Sequence, residues 1–466
     1  MHGSSPRLRW AFFLIGLLAA LAGMPQPIAQ AQATVSQPDA RADASAISEF
    51  GKLFDAVVET TAKSFWDKER LAGLGWLGLA AEARREIVEA PSLEEAARRI
   101  NALLAKLETS HTALLTQDDV DYYVLLSVFG GGSMPQSEFD DLFWGAGVTY
   151  PGIGHFTVRI DGRDFVDLLL EGSPAARAGV RVGDEIVSID GAPHHQIRSF
   201  RGKIGSKVSV TIRRARDGPT QTLPIKVMAI APLHAFGEAT RASARVIARD
   251  GRRIGYVHVW ASVGEESGNA LRSALSSLGV NLRPSHSGGG KGESDREPPL
   301  DGLIIDMRGK IGGTANMAAR YLDLLDPRGP LLGSRDRSKA SRATTAVRGR
   351  TAVLIDHHTR STAELFVHAY KRERQGLLVG TRTAGAVTAA SSFIMPGNNL
   401  LYLAVSGLEI DGEVLEGAGV APDIEVVRPL PYAQGADPVV DAAADVLAAK
   451  ADARDAADRE QRRPGR

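Results

Sequence analysis

The chain has 466 residues, 55 basic side chains against 55 acidic ones, and no cysteine. Without cysteine there can be no disulfide framework, no cysteine-ligated zinc or iron–sulfur centre and no cysteine nucleophile. Zero net charge argues against a nucleic-acid partner, and an apolar fraction of 44% is that of a globular protein rather than a disordered one.

Residues 1–33 read as a secretory signal peptide. Arg7 and Arg9 precede the apolar run Trp10–Met24, and the small-residue sites Ala29-Gln30-Ala31 and Ala31-Gln32-Ala33 follow. The run is shorter than the ~20 residues a membrane span needs, so cleavage is expected, with no membrane span afterwards. Removing this segment leaves 53 bases and 55 acids. The mature protein is expected outside the cytoplasm, in a periplasm or secreted.

Residues 34–48 read as a polar leader. A helical pattern is expected from Ile47 to Leu115, where Phe50, Leu53, Phe54, Val57 and Val58 fall on one face. Ser92 is a helix N-cap, with Glu95 placed to complete a capping box. That helix leads to Ser110-His111. Between 141 and 232 short β-rich runs alternate with turns: Phe165–Leu170, Glu185–Asp190 and Val208–Arg213 read as strands. From Ile254 onward strands and helices alternate, which predicts α/β layers with a partly parallel sheet. Residues 281–299 are rich in Gly, Ser, Pro and charge and are expected to form a disordered insert. The chain closes on an Ala- and Asp-rich helix.

Four places carry chemistry. Ser110-His111 pairs a hydroxyl with a side chain that can act as base near neutral pH. Asp306 to Thr314 runs from a strand into a glycine-rich loop, which is either a tight turn or a backbone anion site; no Walker or dinucleotide motif is present. Ser361 stands at the entrance of a helix after a short turn, either as an exposed nucleophile or as an N-cap completed by Glu364. Glu416 lies among glycines, either in a plain hairpin or reaching a site. His194-His195 and His357-His358 have no HExxH pattern or flanking ligand set, so roles on the surface or behind a site are expected of them, and no metal or cofactor is expected.

In order, these segments resemble the C-terminal-processing (tail-specific) serine protease family of the tricorn-core type, over residues 47–430. The matching pieces are LETSHT (107–112), GSPAARAGVRVGDEIVSIDG (172–191, like the second half of a PDZ domain), GLIIDMRGKIGG (302–313), STAE (361–364) and EGAGVAPDI (416–424). The family's processing members use a lysine base 25 residues after the serine; here that position is Ala386. The resemblance therefore points to the histidine-dependent tricorn-like branch. It implies Ser361 as nucleophile and His111 as base, with Ser110 and Glu416 behind the imidazole. Gly312, Gly313 and Thr362 would form the oxyanion hole. A neutral Thr362 after the nucleophile implies no strong preference for basic substrates. WGAGV (144–148) resembles a carboxylate-binding loop, so Gly145, Ala146, Gly147 and Val148 would hold a peptide C-terminus.

The expected architecture is a mixed α/β, α+β multidomain chain. A helical region (34–125) carries Ser-His, a PDZ-like β-domain (126–232) follows, and an α/β protease core (233–430) precedes a C-terminal helix and tail (431–466). The expected function is an exported serine endopeptidase acting on unfolded or C-terminal protein segments, its partners being protein or peptide substrates with accessible C-termini. The rival is a catalytically inactive peptide- or small-molecule-binding protein on the same scaffold.

Overall fold

The computed structural model describes residues 44–130, 147–280, 299–309, 312–325, 351–410 and 412–461. The signal-like segment, Gly145, Ala146 and nearly all of the 281–299 insert lie outside them. The first helix, α1 (Ala44–Ser64), starts three residues before the expected Ile47, inside the stretch read as a leader. It buries Leu53, Phe54 and Val57, the stripe that its 3–4 spacing predicts. α2 (Lys68–Leu74) is capped by Asp67 and ends at Gly75, whose left-handed backbone turns the chain into α3 (Trp76–Val88). In α4 (Leu93–Leu104) the Ser92 hydroxyl accepts from Glu95 N–H at 3.2 Å. The Glu95 carboxylate binds Arg98 and Arg99, so only half of the capping box forms.

The helical reading fails at its end. Ala113–Leu115 is a strand (β1) that pairs antiparallel with Asn399–Ser406, Leu114 facing Leu401. Three apolar residues carry no periodicity of their own, so tertiary pairing decides their conformation. Next come α5 (Val120–Phe129) and β2 (Tyr150–Gly152).

An antiparallel five-stranded sheet follows, built from β3 (His155–Ile160), β4 (Arg163–Leu169), β5 (Glu185–Ile189), β6 (Lys207–Arg213) and β7 (Thr220–Lys226) in that order, with a short helix α6 (Pro174–Arg177) after β4. β6 buries Val208, Val210 and Ile212 in alternation, as its pattern requires. β8 (Met228–Ile230) returns to pair with β2.

The second half opens with α7 (Pro232–Ser243), β9 (Arg245–Arg249), β10 (Arg252–His258) and α8 (Gly264–Ser277). It continues through β11 (Gly302–Asp306), α9 (Ala315–Leu325), β12 (Thr351–Ile355), α10 (Thr362–Arg372) and β13 (Gly376–Gly380). It ends with the hairpin β14 (Ala389–Met395) and β15 (Asn399–Ser406), then β16 (Ile424–Glu425) and α11 (Pro438–Gln461). The main sheet runs β16-β13-β12-β11-β10-β9, parallel except for β9. Successive strand residues face opposite sides. Val257, Ile305, Val353 and Leu378 pack with α8, α9 and α10. Tyr256, Ile304, Leu354 and Val379 pack under Val439, Ala443 and Leu447 of α11. Each fully buried aliphatic or aromatic side chain contributes about 1.5–3 kcal/mol, which makes this two-faced sheet a rigid platform. The loops at the carboxyl ends of β11 and β12 stand on it. No helix among the described residues is long and apolar enough to cross a membrane.

Candidate active site

Ser361 follows the carboxyl end of β12 by a five-residue turn. Thr359 anchors that turn: its hydroxyl donates to the Met307 carbonyl at 3.0 Å and accepts from Asp356 N–H at 3.1 Å. Ser361 has φ 55° and ψ −126°, a region that non-glycine residues rarely enter and that strained functional sites favour. An N-cap serine normally has extended backbone and caps with its hydroxyl. Here no side-chain capping bond forms among the described residues. The Glu364 carboxylate accepts from Thr383 Oγ1 at 2.6 Å, Gly385 N–H at 2.7 Å and Ala386 N–H at 2.6 Å. Burial pushes its carboxyl up, against these hydrogen bonds. The capping-box reading of Ser361 and Glu364 is thereby corrected in its serine half: the Ser361 hydroxyl makes no cap, while the Glu364 carboxylate is held chiefly by the loop donors.

The glycine loop after β11 is pinned at its root. Arg308 donates to Asp306 at 2.6 and 2.9 Å and to Asp437 at 2.7 Å, and Tyr256 donates to Asp306 at 2.8 Å. Burial alone would raise the Asp306 carboxyl, but Arg308 and His258 hold it well below the usual range. Further on, the Gly312 carbonyl accepts from Ser262 N–H at 2.8 Å and Thr314 N–H donates to the Ser262 carbonyl at 3.0 Å. Parallel pairing of this kind turns the intervening Gly313 N–H away from Ser262. A Cβ at Gly312 would stand 2.5 Å from Ser361 Cβ and 2.9 Å from Thr362 N. Gly312, Ser361 and Thr362 are thus in direct contact.

Ser110 and His111 lie between a single 3-10 turn (Ala105–Leu107) and β1, and His111 itself has φ 53°. Glu416 accepts from four donors: Ser110 N–H at 2.7 Å, Ser110 Oγ at 3.0 Å, Val387 N–H at 2.9 Å and Thr388 N–H at 3.1 Å. Ser110 Oγ lies 2.9 Å from His111 Nδ1. Since the hydroxyl proton goes to Glu416, the oxygen accepts from Nδ1–H, which leaves Nε2 as the basic nitrogen. Tyr402 meets the imidazole edge-on, with ring centroids 5.4 Å apart. Burial, and after it the Arg360 guanidinium, bring the His111 pKa down to about 4, with Glu416 partly opposing both.

The two halves are joined by the stretch 383–388. Ser361 N–H donates to the Ala386 carbonyl at 2.8 Å, and Gly417 N–H donates to the Gly385 carbonyl at 2.8 Å. A Cβ on Gly385, where φ is +65°, would come within 2.9 Å of Gly417 and Gly419 backbone atoms, so only glycine allows the loops to touch. Thr388 was not anticipated. Its hydroxyl is 3.0 Å from Ser110 Oγ and 3.2 Å from His111 Nδ1; a threonine in a small-residue run gives no signal of this. Of the expected peptide loop, Gly147 is exposed with φ 72°, and Val148 is buried beside Tyr150 and Trp260.

Residues 253–426 match peptidase family S41, and residues 165–214 match the PDZ domain. The chain thus carries an S41 peptidase region and a PDZ region. The chain is 25% identical over 422 residues to a tricorn protease homolog of Streptomyces coelicolor, covering 85% of this chain and 32% of that one. It is 26% identical over 302 residues to the carboxy-terminal processing protease CtpA of Bacillus subtilis, covering 61% and 58%. It therefore spans between about a third and six tenths of these relatives' length. Among solved structures, a photosystem II D1 C-terminal processing protease aligns over 85% of this chain and 97% of its own, at 18% identity and a TM-score of 0.45.

Proposed function

We propose that this chain is a serine endopeptidase that cuts unfolded or C-terminal protein segments, with Ser361 as nucleophile and His111 as base. The carrying observation is the hydrogen-bonded series Glu416–Ser110–His111, tied through Ala386 to a Ser361 whose hydroxyl is not spent on capping. Ser361 Oγ attacks the peptide carbonyl carbon as His111 Nε2 takes its proton. The tetrahedral oxyanion is met by N–H groups of Gly312 or Gly313 and of Thr362, each such donor lowering the barrier by about 2.7–4 kcal/mol. The C–N bond then breaks, and Nε2–H protonates the departing amine. Water, deprotonated by the same nitrogen, releases the acyl group from Ser361. Glu416, reaching the ring through Ser110, favours the charged imidazole.

The PDZ domain would present the substrate. A peptide carboxylate would sit on the N–H groups of residues 145–148 while the peptide adds to a sheet edge. The carboxy-terminal processing named for the Bacillus relative supports that substrate class. The signal pattern of residues 1–33 supports export to a periplasm or beyond. The test is labelling by a fluorophosphonate together with turnover of an unfolded polypeptide. Both should occur in the wild type and vanish in Ser361→Ala. A wild type that neither labels nor cleaves would make the chain a binding protein instead.

A further inference from the structure

We propose that Asp167, His357 and His358 form a zinc site where the PDZ domain meets the turn leading to Ser361. In sequence the two histidines stand without a ligand set, because the third residue is 190 positions away on β4. The fold brings the three together. Their nitrogen and carboxylate oxygen atoms all lie within 4.8 Å of one another. His358 N–H donates to Asp356 Oδ1 at 2.8 Å, and the His357 and His358 rings lie 4.0 Å apart, centroid to centroid.

The carboxylate is already aimed. Asp167 is 5% exposed. Arg428 donates to its Oδ1 at 2.7 Å and to its carbonyl at 3.2 Å, which fixes the side chain and leaves Oδ2 facing His358 Nε2 at 2.6 Å. A bond from outside the ligand set that orients a carboxylate is the usual support of a metal site. His357 is exposed, so an ion can enter from solvent.

The donor chemistry selects the ion. Two imidazoles and one carboxylate suit zinc, which binds nitrogen and oxygen at about 2.0–2.2 Å and fills a fourth position with water. Magnesium and calcium prefer all-oxygen sets. Tetrahedral bonds of that length separate ligand atoms by about 3.3 Å. The 2.6 Å contact between Asp167 and His358 must therefore open by less than about 1 Å, with zinc replacing the shared proton. The neighbouring Arg428 charge weakens cation binding, so the affinity expected is micromolar rather than that of a permanent structural zinc. A bound ion would fasten β4 of the PDZ domain to the turn that ends, three residues after His358, at Ser361.

The experiment is titration of the metal-free full chain with zinc chloride by calorimetry, with cobalt(II) as a visible-absorption probe of the same site. Wild type should bind one equivalent and give an intense band of low-coordinate cobalt. His357→Ala removes an exposed ring and should preserve the fold, checked by circular dichroism, while weakening zinc about tenfold or more and abolishing the band. Asp167→Asn should do the same, and His195→Ala, at a separate exposed histidine, should change nothing. Absence of stoichiometric binding by wild type, or binding undiminished in His357→Ala, overturns the proposal. Fluorophosphonate labelling of Ser361 is independent of either result.

Discussion

The Ser110 hydroxyl donates to Glu416 Oε2 at 3.0 Å and so presents only its oxygen to His111 Nδ1, 2.9 Å away. A carboxylate and an imidazole that share no hydrogen bond are thereby coupled through one hydroxyl. Ser110→Ala should lower kcat/KM by about 10–10²-fold, less than the 10²–10⁴ that a general base supplies. The Thr388 hydroxyl, 3.2 Å from Nδ1, remains to hold the ring. The double change Ser110→Ala, Thr388→Val should fall further than the two single effects combined. Steady-state kinetics on all four proteins checks this as a double-mutant cycle.

The low pKa of His111, about 4, sets an acid limit. The ring is neutral and competent as a base above that value, so kcat/KM in the free enzyme should hold down to about pH 4 rather than fall near 6.5. Arg360→Gln removes a charge that lowers this pKa and should move the limit up; Glu416→Gln should move it down. The same depression acts on stability. The unfolded chain binds this proton first, so the contribution is complete above about pH 6.5 and is lost as pH falls towards 4. A limit at 6.5 that ignores Arg360 would contradict the assignment.

Gly312→Ala places a methyl carbon 2.5 Å from Ser361 Cβ. The serine or the glycine loop must shift. We expect kcat to drop by about 10²–10³-fold, the scale of a lost oxyanion donor, with KM changed little. Slow fluorophosphonate labelling with an unaltered unfolding transition would separate this from general damage.

Glu364 predicts a different signature. Glu364→Ala strands three buried donors, from Thr383, Gly385 and Ala386, at about 1–3 kcal/mol each. Stability should fall by about 3 kcal/mol or more, read as a shift of the urea midpoint. Labelling of Ser361 should weaken with it, since the Ala386 carbonyl that accepts Ser361 N–H belongs to the same loop.

What could be read in the sequence was what local pattern determines. The strand–turn–helix around Ser361, the glycine loop after β11, the alternation in β6 and the stripe on α1 all follow from spacing and turn chemistry. What escaped was decided by partners far away in sequence. Ala113–Leu115 became a strand because β15 lay open to it. Ser361 and Glu364 had capping-box spacing, yet the Ser361 hydroxyl makes no cap and the 383–386 loop supplies most of the donors to Glu364. Thr388 and Asp167 are ordinary in their own neighbourhoods and acquire meaning only from His111 and His358.

The stretch from Thr383 to Thr388 is gripped at both ends by different carboxylates. Glu364, on the helix that begins at Ser361, holds Thr383, Gly385 and Ala386; Glu416, which anchors Ser110, holds Val387 and Thr388. This hexapeptide is a ruler: its length meters the gap between the proposed nucleophile, Ser361, and the proposed base, His111. One residue inserted or deleted there would leave every side chain of the site present and put the gap out of calibration.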